Sequence, residues 1–358
     1  MNKNKMNVLV VSPSKREKGG ISTVVNNLAE KSADQKVQYY FYSTWISGHC
    51  FIQAIYCLFK MCIFPFFLMT PKYSIIYIHF AHNGSFIRTR WYASISKKMN
   101  KKVALHSHSS SFDIYYGESS LKKKKMIQEV FFHNCDKLIV LGKSWYQFYV
   151  DIVEVPSKKI EILPNAVKYK PGHEYNSQSN IITMFGRLGE RKGTYDLLKV
   201  AELFQKKEVN IVFKLYGDGD KDKVQRLLDL RGISNVEIKG WVTKDEKAAA
   251  MSESVLNVLP SYNEGLPMAI LETMAVGIPN VTTNVGSISE VIHNGVNGYL
   301  IEPGNIEQLY RAINNFLANK SIAEKINMSN FAKKRISNEH NIDDYFVKLG
   351  KLLQKLCE

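Results

Sequence analysis

Two stretches in the second half of the sequence combine charged side chains with glycines. The first is the glycine loop, residues 186–193, which follows a short apolar run and holds three cations. Glycines let backbone N–H groups approach a ligand closely, the Arg187 guanidinium can bind two phosphate oxygens, and Lys192 adds a point charge. The glycine loop therefore predicts a site for an anion such as a diphosphate. The alternative interpretation is an ordinary strand-to-helix loop with charged surface residues.

The second stretch, residues 260–272, places two carboxylates around the start of a predicted helix. Glu264 lies in a loop, Pro267 is suited to open the helix, and Glu272 follows about one turn later. The first-turn N–H groups and the helix dipole attract a diphosphate, and a carboxylate further in can accept hydrogen bonds from ribose hydroxyls. We therefore expect Glu272 at a ribose and Glu264 at a sugar. Ordinary helix capping is the alternative for Glu264.

Together, and in this order, the two stretches resemble glycosyltransferase family 4, whose hallmark is a Gly-Arg-Leu…Lys-Gly loop followed by a Glu, seven residues and a second Glu. The resemblance covers nearly all of residues 160–303 and includes these further segments: 162–166, 215–219, 240–242 and 295–300. It implies a GT-B fold, in which two Rossmann-like lobes face each other across a cleft. It also implies transfer with retention of the anomeric configuration.

The resemblance implies a role for each matching residue of the second lobe. Arg187 and Lys192 would hold the diphosphate and stabilise its developing charge, Glu272 would hold the ribose, and Glu264 would contact the donor sugar. Contacts with the sugar and the base would also come from the chain at these residues: Gly265, Leu266, Trp241 and Val242. We therefore predict a metal-independent enzyme with no cofactor, for which the nucleotide sugar is a substrate.

In the first half of the sequence the resemblance is looser. Gly19 and Gly20 follow the first apolar run and resemble the family's glycine loop beside the diphosphate and the acceptor. Close approach to an anion and a tight strand-to-helix turn would both require them. Further on, His106 and His108 follow another predicted strand, where the family presents a histidine to the donor sugar. We favour His108 for this role and leave His106 open.

Two metal sites are alternatives to these interpretations. Two histidines two residues apart at a strand end can share a metal only if the strand has ended between them. The sequence offers no evident third ligand, so we expect no metal there. Asp218 and Asp220 resemble the Asp-x-Asp metal motif of the other major glycosyltransferase fold. They fall within a predicted glycine turn, which favours a structural role.

Short apolar runs separated by amphipathic stretches predict two successive series of parallel strands. The first series comprises the runs 8–11, 37–42, 74–79, 103–106, 138–141 and 160–163, and the second comprises 181–185, 209–216, 236–238, 255–259 and 280–283. A polar stretch, 168–180, separates them. We therefore predict an α/β protein with two doubly wound lobes, 1–167 and 168–340, and a C-terminal helix, 341–358, that packs back on the first lobe.

The charge of the chain is uneven. Residues 1–180 carry 25 Lys and Arg against 11 Asp and Glu, whereas residues 181–358 carry 23 against 22. A basic first lobe predicts either a polyanionic partner, such as anionic lipid headgroups, or simply a soluble surface. Nucleic acid is disfavoured because the sequence has no recognition helix, zinc spacing or aromatic RNA-binding motif. The five cysteines form no Cys-x-x-Cys pair, which favours a reduced cytosol.

The segment 50–69 is the most apolar part of the chain. Gln53, Lys60 and Pro65 interrupt it, so we expect that it does not span a membrane. Phe51, Ile55, Leu58 and Cys62 recur at helical spacing, which predicts a crossover helix packed on the sheet. Membrane contact would then depend chiefly on charge, including the lysines 122–125.

The resemblance, taken with these observations, implies a retaining glycosyltransferase that moves a sugar from a nucleotide-diphosphate sugar, with UDP favoured. The acceptor would be a hydroxyl of a glycan or of a polyprenyl-diphosphate-linked glycan in bacterial surface polysaccharide synthesis. The enzyme would lie in the cytoplasm, peripherally at the anionic inner face of the plasma membrane. The alternative is a nucleotide-sugar 2-epimerase of the same fold, which needs no acceptor.

Overall fold

A computed structural model describes residues 6–31, 37–170 and 172–358. The chain divides into two compact units, each built on one six-stranded parallel sheet. The N-terminal unit extends to Asn165 and includes Asp344–Glu358, and the C-terminal unit is Ala166–Asp343. The expected boundary was 167/168, and the segment expected to join the first lobe was 341–358. The predicted fold class, α/β with two doubly wound Rossmann-like units, is confirmed.

The N-terminal unit has the strand order β2-β1-β3-β4-β5-β6. Its strands are β1 Met6–Ser12, β2 Val37–Ser43, β3 Ile75–Phe80, β4 Lys102–Ser107, β5 Lys137–Val140 and β6 Ile160–Ile162. The strand β3 is buried along its whole length, as expected for a central parallel strand covered on both faces. In the register of β3 and β4, His79 lies directly opposite His106.

The C-terminal unit has the strand order β12-β11-β10-β7-β8-β9. Its strands are β7 Ile181–Phe185, β8 Val212–Tyr216, β9 Val236–Gly240, β10 Ser254–Leu259, β11 Asn280–Thr283 and β12 Gly298–Ile301. The order reverses between β7 and β10, and ligands of open α/β sheets bind beyond the carboxyl ends of the strands at such a point. Both sequence stretches that carry charge and glycine begin there.

Helices connect the strands of both units. Those of the N-terminal unit are α1 Gly20–Lys31, α2 Cys50–Leu68, α3 Gly84–Lys98, α4 Phe112–Gly117, α5 Leu121–His133 and α6 Lys143–Gln147. Those that follow are α7 Thr194–Lys206, α8 Lys221–Arg231, α9 Lys244–Ser252, α10 Met268–Ala275, α11 Ile306–Asn314, α12 Ile322–Glu339 and α13 Ile342–Lys355. Several begin where the sequence supplies a cap. Thr243 and Glu246 form a capping box at α9, and Ser321 and Glu324 form one at α12.

The helix α2 differs from the expectation. It continues through Lys60 and Pro65, and its buried residues are Phe64 and Leu68. The prediction that it packs on the sheet through the face containing Phe51, Ile55, Leu58 and Cys62 is wrong, because all four are exposed or half-exposed rather than buried. Apolar residues surround this helix on every side, so their spacing carries no contrast between a buried and an exposed face.

Aromatic packing instead determines which side of α2 is buried. The Phe64 ring packs edge-on against Tyr42 of β2 and against Tyr92 of α3, with ring centres 5.2 and 4.7 Å apart. Among the described residues, α2 is the one helix whose length and composition would allow it to cross a membrane, with a mean hydropathy of 1.9. The expectation that its interruptions prevent spanning remains a prediction.

Candidate active site

The glycine loop lies against the segment that follows β10. Gly193 has a φ of +66°, and a Cβ at this position would lie 2.0 Å from the Pro260 carbonyl oxygen, so only glycine fits. The Tyr262 N–H donates to the Arg191 carbonyl at 2.8 Å, and the Arg191 side chain donates to the Asn263 carbonyl at 2.9 Å. These contacts bring the two sequence stretches together at the point where the strand order reverses.

The Glu264 carboxylate is buried at this junction, with 7% of its side chain exposed. It forms an ion pair with the Lys192 ammonium and accepts a hydrogen bond of 2.8 Å from the Ser261 hydroxyl. The Arg191 guanidinium lies 3.9 Å from its other oxygen. A buried carboxylate needs such partners because the loss of hydration is costly. Lys192 and Glu264, which were predicted to meet the diphosphate and the sugar, thus hold each other.

Arg187 occupies a different environment in the same loop. It is exposed, and no carboxylate among the described residues forms an ion pair with it. Its Cγ packs over Gly219, where a Cβ would lie 2.9 Å away. The guanidinium is therefore anchored through its stem while its charge remains available to an anion beyond β7 and β8.

Glu272 lies in the second turn of α10. The predicted helix start is one residue early, because Pro267 has an extended backbone and caps the helix from outside. The Glu272 carboxylate forms an ion pair with Lys247 of α9, and the Lys247 ammonium lies 5.2 Å from the centre of the Phe185 ring. About a quarter of the Glu272 side chain is exposed, so a hydroxyl group of a ligand could reach it.

A second glycine turn, at Gly286, packs against the main chain around Glu264. Gly286 has a φ of +57°, and a Cβ there would lie 2.0 Å from the Glu264 carbonyl oxygen. The Ser287 N–H donates to the Gly265 carbonyl at 2.9 Å. The Leu266 side chain is buried, so it is the main chain of this residue that could face a ligand.

Trp241 and Val242 follow β9. Trp241 is half-exposed, whereas Val242 packs against an apolar cluster that includes Phe185 and Tyr216. The Phe185 and Tyr216 rings stack with their centres 4.9 Å apart. This places an apolar surface beside the Lys247 side chain. Contact of this surface with a base remains a prediction.

The segment of Asp218 and Asp220 forms a glycine turn, as expected. Gly219 has a φ of +111°, and a Cβ there would lie 2.2 Å from the Leu188 carbonyl oxygen. The Asp220 carboxylate accepts a hydrogen bond of 2.7 Å from the Tyr195 hydroxyl and immediately precedes α8. This contact supports the structural role that we predicted for Asp220.

In the N-terminal unit, Gly19 and Gly20 are exposed; Gly19 immediately precedes α1, and Gly20 is the first residue of this helix. Gly19 has a φ of +141°, and no atom of the described residues lies within 4 Å of the position that a Cβ would take. The backbone angle, rather than crowding by protein atoms, favours glycine here. Space beside Gly19 is therefore open to a ligand.

His106 and His108 lie beside a third histidine, His79, for which we predicted no role. The His79 Nδ1 and the His108 Nε2 are 2.8 Å apart, and the His106 Nδ1 is 2.6 Å from the Tyr77 hydroxyl. One ring nitrogen from each of the three histidines lies within 4.8 Å of the other two. The argument that no third ligand exists at this strand end is therefore wrong, because β3 supplies His79 directly opposite His106.

The three imidazoles of this histidine cluster are neutral at physiological pH. Burial lowers the pKa of His108 to about 3. Burial, and secondarily the neighbouring imidazoles, also hold the pKa values of His79 and His106 well below the usual value. Neutral rings can accept a hydrogen bond or bind a ligand through one nitrogen each.

Sequence reasoning gave no role to several residues at these sites: His79, Arg191, Lys247, Ser261 and Gly286. A signal existed for two of them. Arg191 lies inside the glycine loop, and His79 ends a predicted strand that neighbours the strand of His106. The others come from separate elements and are brought in by the fold.

The chain is similar to known glycosyltransferases. The family model described as glycosyl transferases group 1 matches residues 167–335. An uncharacterized 41.2 kDa protein in the cps region of Klebsiella pneumoniae is 27% identical over 331 residues, covering 83% of this chain and 86% of the relative. The UDP-Gal:alpha-D-GlcNAc-diphosphoundecaprenol alpha-1,3-galactosyltransferase of Escherichia coli is 24% identical over 271 residues, covering 69% of this chain and 67% of the relative.

Among solved structures, Anabaena HepE in complex with UDP is similar over 98% of this chain and 100% of that chain, with a TM-score of 0.76 and 15% identity. This likeness supports the predicted GT-B fold class. The resemblance to glycosyltransferases is confirmed at the level of group 1, and the specific features of family 4 remain predictions. Residues 167–335 thus match the glycosyl transferases group 1 family, and the chain is a glycosyltransferase.

Proposed function

We propose that this glycosyltransferase moves a sugar from a nucleotide-diphosphate donor, with UDP favoured, to a hydroxyl of a glycan or of a lipid-linked glycan in surface polysaccharide synthesis. The observation that carries the proposal is the junction of the glycine loop with the segment after β10. There, Arg187, Lys192 and the N-terminus of α10 supply positive charge beside Glu264. The name of the E. coli relative, which includes UDP-Gal and a diphosphoundecaprenol-linked acceptor, supports the choice of donor and acceptor.

Positive charge at this junction suits the chemistry of the leaving group. Cleavage of the sugar–phosphate bond leaves negative charge on the nucleoside diphosphate, and fixed cations stabilise that charge without reorganisation. Arg187 is exposed and anchored, so it is the cation most available to the diphosphate. Lys192 would divide its hydrogens between the diphosphate and Glu264. Glu272 would bind the ribose hydroxyls at the second turn of α10.

A donor screen tests this proposal. Melting temperatures of the full chain are measured with UDP-, GDP- and dTDP-sugars in the presence of EDTA, because a ligand that binds the folded state raises the melting temperature. We expect one UDP-sugar to stabilise the wild type but neither Arg187→Met nor Glu272→Gln. The matched controls are Arg226→Met and Glu307→Gln, which change exposed residues of α8 and α11. Equal stabilisation of all five proteins would overturn the assignment of the site.

The same assay tests independence from metals. We propose that the cations and α10 replace the divalent ion that other glycosyltransferases use at the diphosphate. Binding of the UDP-sugar should therefore be unchanged by EDTA. A requirement for Mg²⁺ or Mn²⁺ would contradict this, and Asp218→Asn would then be the first variant to examine.

Stereochemistry and reaction type require a product. We propose retention, in which the leaving phosphate helps to deprotonate the acceptor hydroxyl on the same face of the sugar. The anomeric coupling constant of the product, measured by NMR, distinguishes retention from inversion. The same spectra, recorded without an acceptor, detect an epimerised nucleotide sugar. Its appearance would support the 2-epimerase instead of the transferase.

Peripheral contact with an anionic, cytoplasmic membrane surface is a further part of the proposal. Six large apolar side chains of α2 are more than half exposed: Phe51, Ile52, Ile55, Leu58, Phe59 and Phe66. Together they form a larger apolar surface than the single exposed apolar side chains that are usual on soluble proteins. Basic residues are also concentrated in the first 180 residues, and an anionic lipid surface attracts them.

Vesicle sedimentation tests this contact. The wild type should sediment with vesicles that contain anionic lipid more than with neutral vesicles, and the double variant Phe51→Ser/Leu58→Ser should sediment at least about tenfold less. The control is Leu230→Ser, which changes an exposed leucine of α8 in the C-terminal unit. If the double variant sediments like the wild type, α2 does not contact the membrane.

A further inference from the structure

The histidine cluster of His79, His106 and His108 contains polar atoms whose hydrogen-bonding capacity is unused. The Nε2 of His79 and the Nε2 of His106 are buried and have no hydrogen-bond partner among the described residues. Leaving a buried polar atom unpartnered usually costs about 1–3 kcal/mol, so native proteins rarely tolerate two of them side by side. Two such atoms in one cluster indicate a ligand.

The contact between His106 and Tyr77 has the form expected around a metal. A histidine that binds a metal through one nitrogen usually donates its other N–H to an oxygen, which fixes the orientation of the ring. The Tyr77 hydroxyl oxygen lies 2.6 Å from the His106 Nδ1, so it can accept that hydrogen bond. The Nε2 of His106 is then the atom free to bind an ion.

We infer that His79, His106 and His108 form a binding site for a divalent transition-metal ion of the Zn²⁺ type. One nitrogen from each ring lies within 4.8 Å of the other two. Imidazole nitrogens favour Zn²⁺, Co²⁺, Ni²⁺ and Cu²⁺ over Mg²⁺ and Ca²⁺, which prefer oxygen. Three protein ligands leave the fourth tetrahedral position open to water or another small ligand. The inference does not depend on the proposed donor or acceptor.

Binding of the ion requires small movements of the rings. With metal–nitrogen distances of about 2.0–2.1 Å, a tetrahedral ion holds its ligand nitrogens about 3.3 Å apart. Nitrogens that lie up to 4.8 Å apart must close on the ion, while the His79 Nδ1 and the His108 Nε2, now 2.8 Å apart, give up their hydrogen bond. His108 follows the end of β4 and is only half-buried, so this ring can move most easily.

Cobalt binding tests the site in the full chain. The protein is stripped with EDTA, desalted and titrated with Co²⁺, and the visible spectrum is recorded. We expect one ion per chain, tetrahedral d–d bands and no thiolate charge-transfer band, and we expect Zn²⁺ to displace the cobalt. His79→Gln, His106→Gln and His108→Gln should each weaken binding by at least about tenfold. His133→Gln, which changes an exposed histidine of α5, should bind like the wild type.

One surface pair provides a second control. The Cys50 sulfur lies 4.0 Å from the His49 ring, and both residues are exposed, so they could bind cobalt adventitiously. If the bands include a thiolate transition and disappear in Cys50→Ser, the inference is wrong. It is also wrong if micromolar Co²⁺ produces no bands, or if all three cluster variants bind like the wild type. Circular dichroism establishes which variants are folded. If the variants at the two buried positions do not fold, cobalt binding by His108→Gln, at the half-buried position, decides the inference.

Discussion

The two candidate sites differ in how the protein holds polar groups in its interior. In the C-terminal unit the buried Glu264 carboxylate is paired with Lys192 and accepts a hydrogen bond from Ser261. In the N-terminal unit His79 and His106 are buried beside other imidazoles, and burial keeps their rings neutral. The site in the C-terminal unit thus holds opposite charges, and a charged ligand can compete for either of them. The histidine cluster holds neutral rings, whose nitrogens can donate or accept hydrogen bonds.

This difference follows from how each site is assembled. The glycine loop and the segment after β10 are each continuous in sequence, and backbone contacts at Gly193 and Tyr262 join them. The histidine cluster takes its members from β3 and from the end of β4, and only the register of the two strands makes them neighbours. The charged residues can therefore be recognised from local motifs, whereas the histidine cluster depends on tertiary structure.

The largest effect should follow from separating the two halves of the charged site. Gly193→Ala places a Cβ 2.0 Å from the Pro260 carbonyl and imposes a left-handed backbone on alanine. We expect the free energy of unfolding to fall by about 4 kcal/mol, the sum of overpacking and backbone strain. Urea denaturation measures this loss, and UDP-sugar binding should disappear with it.

Gly232→Ala is the matched control for this substitution. Its φ is +61°, close to that of Gly193, but within the part of the chain that the structure describes no atom lies within 4 Å of its Cβ position. It should lose only about 1 kcal/mol, the part due to backbone strain. Equal losses in the two variants would show that the contact between the loop and Pro260 does not matter.

The second largest effect should follow from removing one charge of the buried pair. Lys192→Met leaves the Glu264 carboxylate with Ser261 and the more distant Arg191, so we expect unfolding to become easier by about 3 kcal/mol. Glu264→Gln in the same chain should restore part of this loss, because no uncompensated charge remains. A double-mutant cycle measured by urea denaturation checks both statements. Additive losses would indicate that the two side chains are not coupled in solution.

Several elements of the fold were predictable from local patterns. The runs 181–185 and 280–283 match β7 and β11 to the residue, because apart from Asn280 their residues are apolar or β-branched and the runs are bounded by polar residues or turns. The strand β12 was not predicted, since Gly298 at its start continues a glycine and asparagine turn. Hydrophobic periodicity also could not orient α2, which is apolar on all sides.

The candidate sites were predictable to a similar, partial extent. The motifs predicted Arg187, Glu264 and Glu272 as site residues, and the fold brings the two stretches that contain them together; their contacts with a diphosphate and a ribose remain predictions. They could not reveal that Lys192 turns toward Glu264, since the direction of a side chain depends on its neighbours. They also could not reveal His79, which lies 27 residues before His106 in the sequence and reaches it only through strand pairing.

Per pH unit, acid titration of the histidine cluster should produce a smaller effect. The histidine pKa is 6.5 in the unfolded chain and about 3 at His108 in the folded unit. Below pH 6.5 the unfolded chain therefore binds protons that the folded cluster does not, so stability is lost as the pH falls toward 3. Each such histidine contributes at most about 1.4 kcal/mol per pH unit.

Urea denaturation of the EDTA-treated protein between pH 7 and pH 4 measures this slope. His108→Gln should reduce the dependence on pH, whereas His133→Gln, at an exposed position, should leave it as in the wild type. An unchanged slope in His108→Gln would mean that this imidazole titrates normally in the folded protein.

The smallest effect on stability should come from the pair of Lys247 and Glu272, each with about a quarter of its side chain exposed. Water screens such a pair, so Glu272→Gln should change the free energy of unfolding by less than about 1 kcal/mol. Its effect on UDP binding should be larger, at least about tenfold, because a charge-assisted hydrogen bond to a ribose hydroxyl is worth about 1.5–3 kcal/mol. Urea denaturation and calorimetric titration with UDP separate the two effects, and Glu307→Gln, in an exposed pair with Arg311, should alter neither. If Glu272→Gln lowers stability and affinity in equal measure, this carboxylate supports the fold instead of the ligand. The pair of Lys247 and Glu272 would then be structural, like the pair of Lys192 and Glu264.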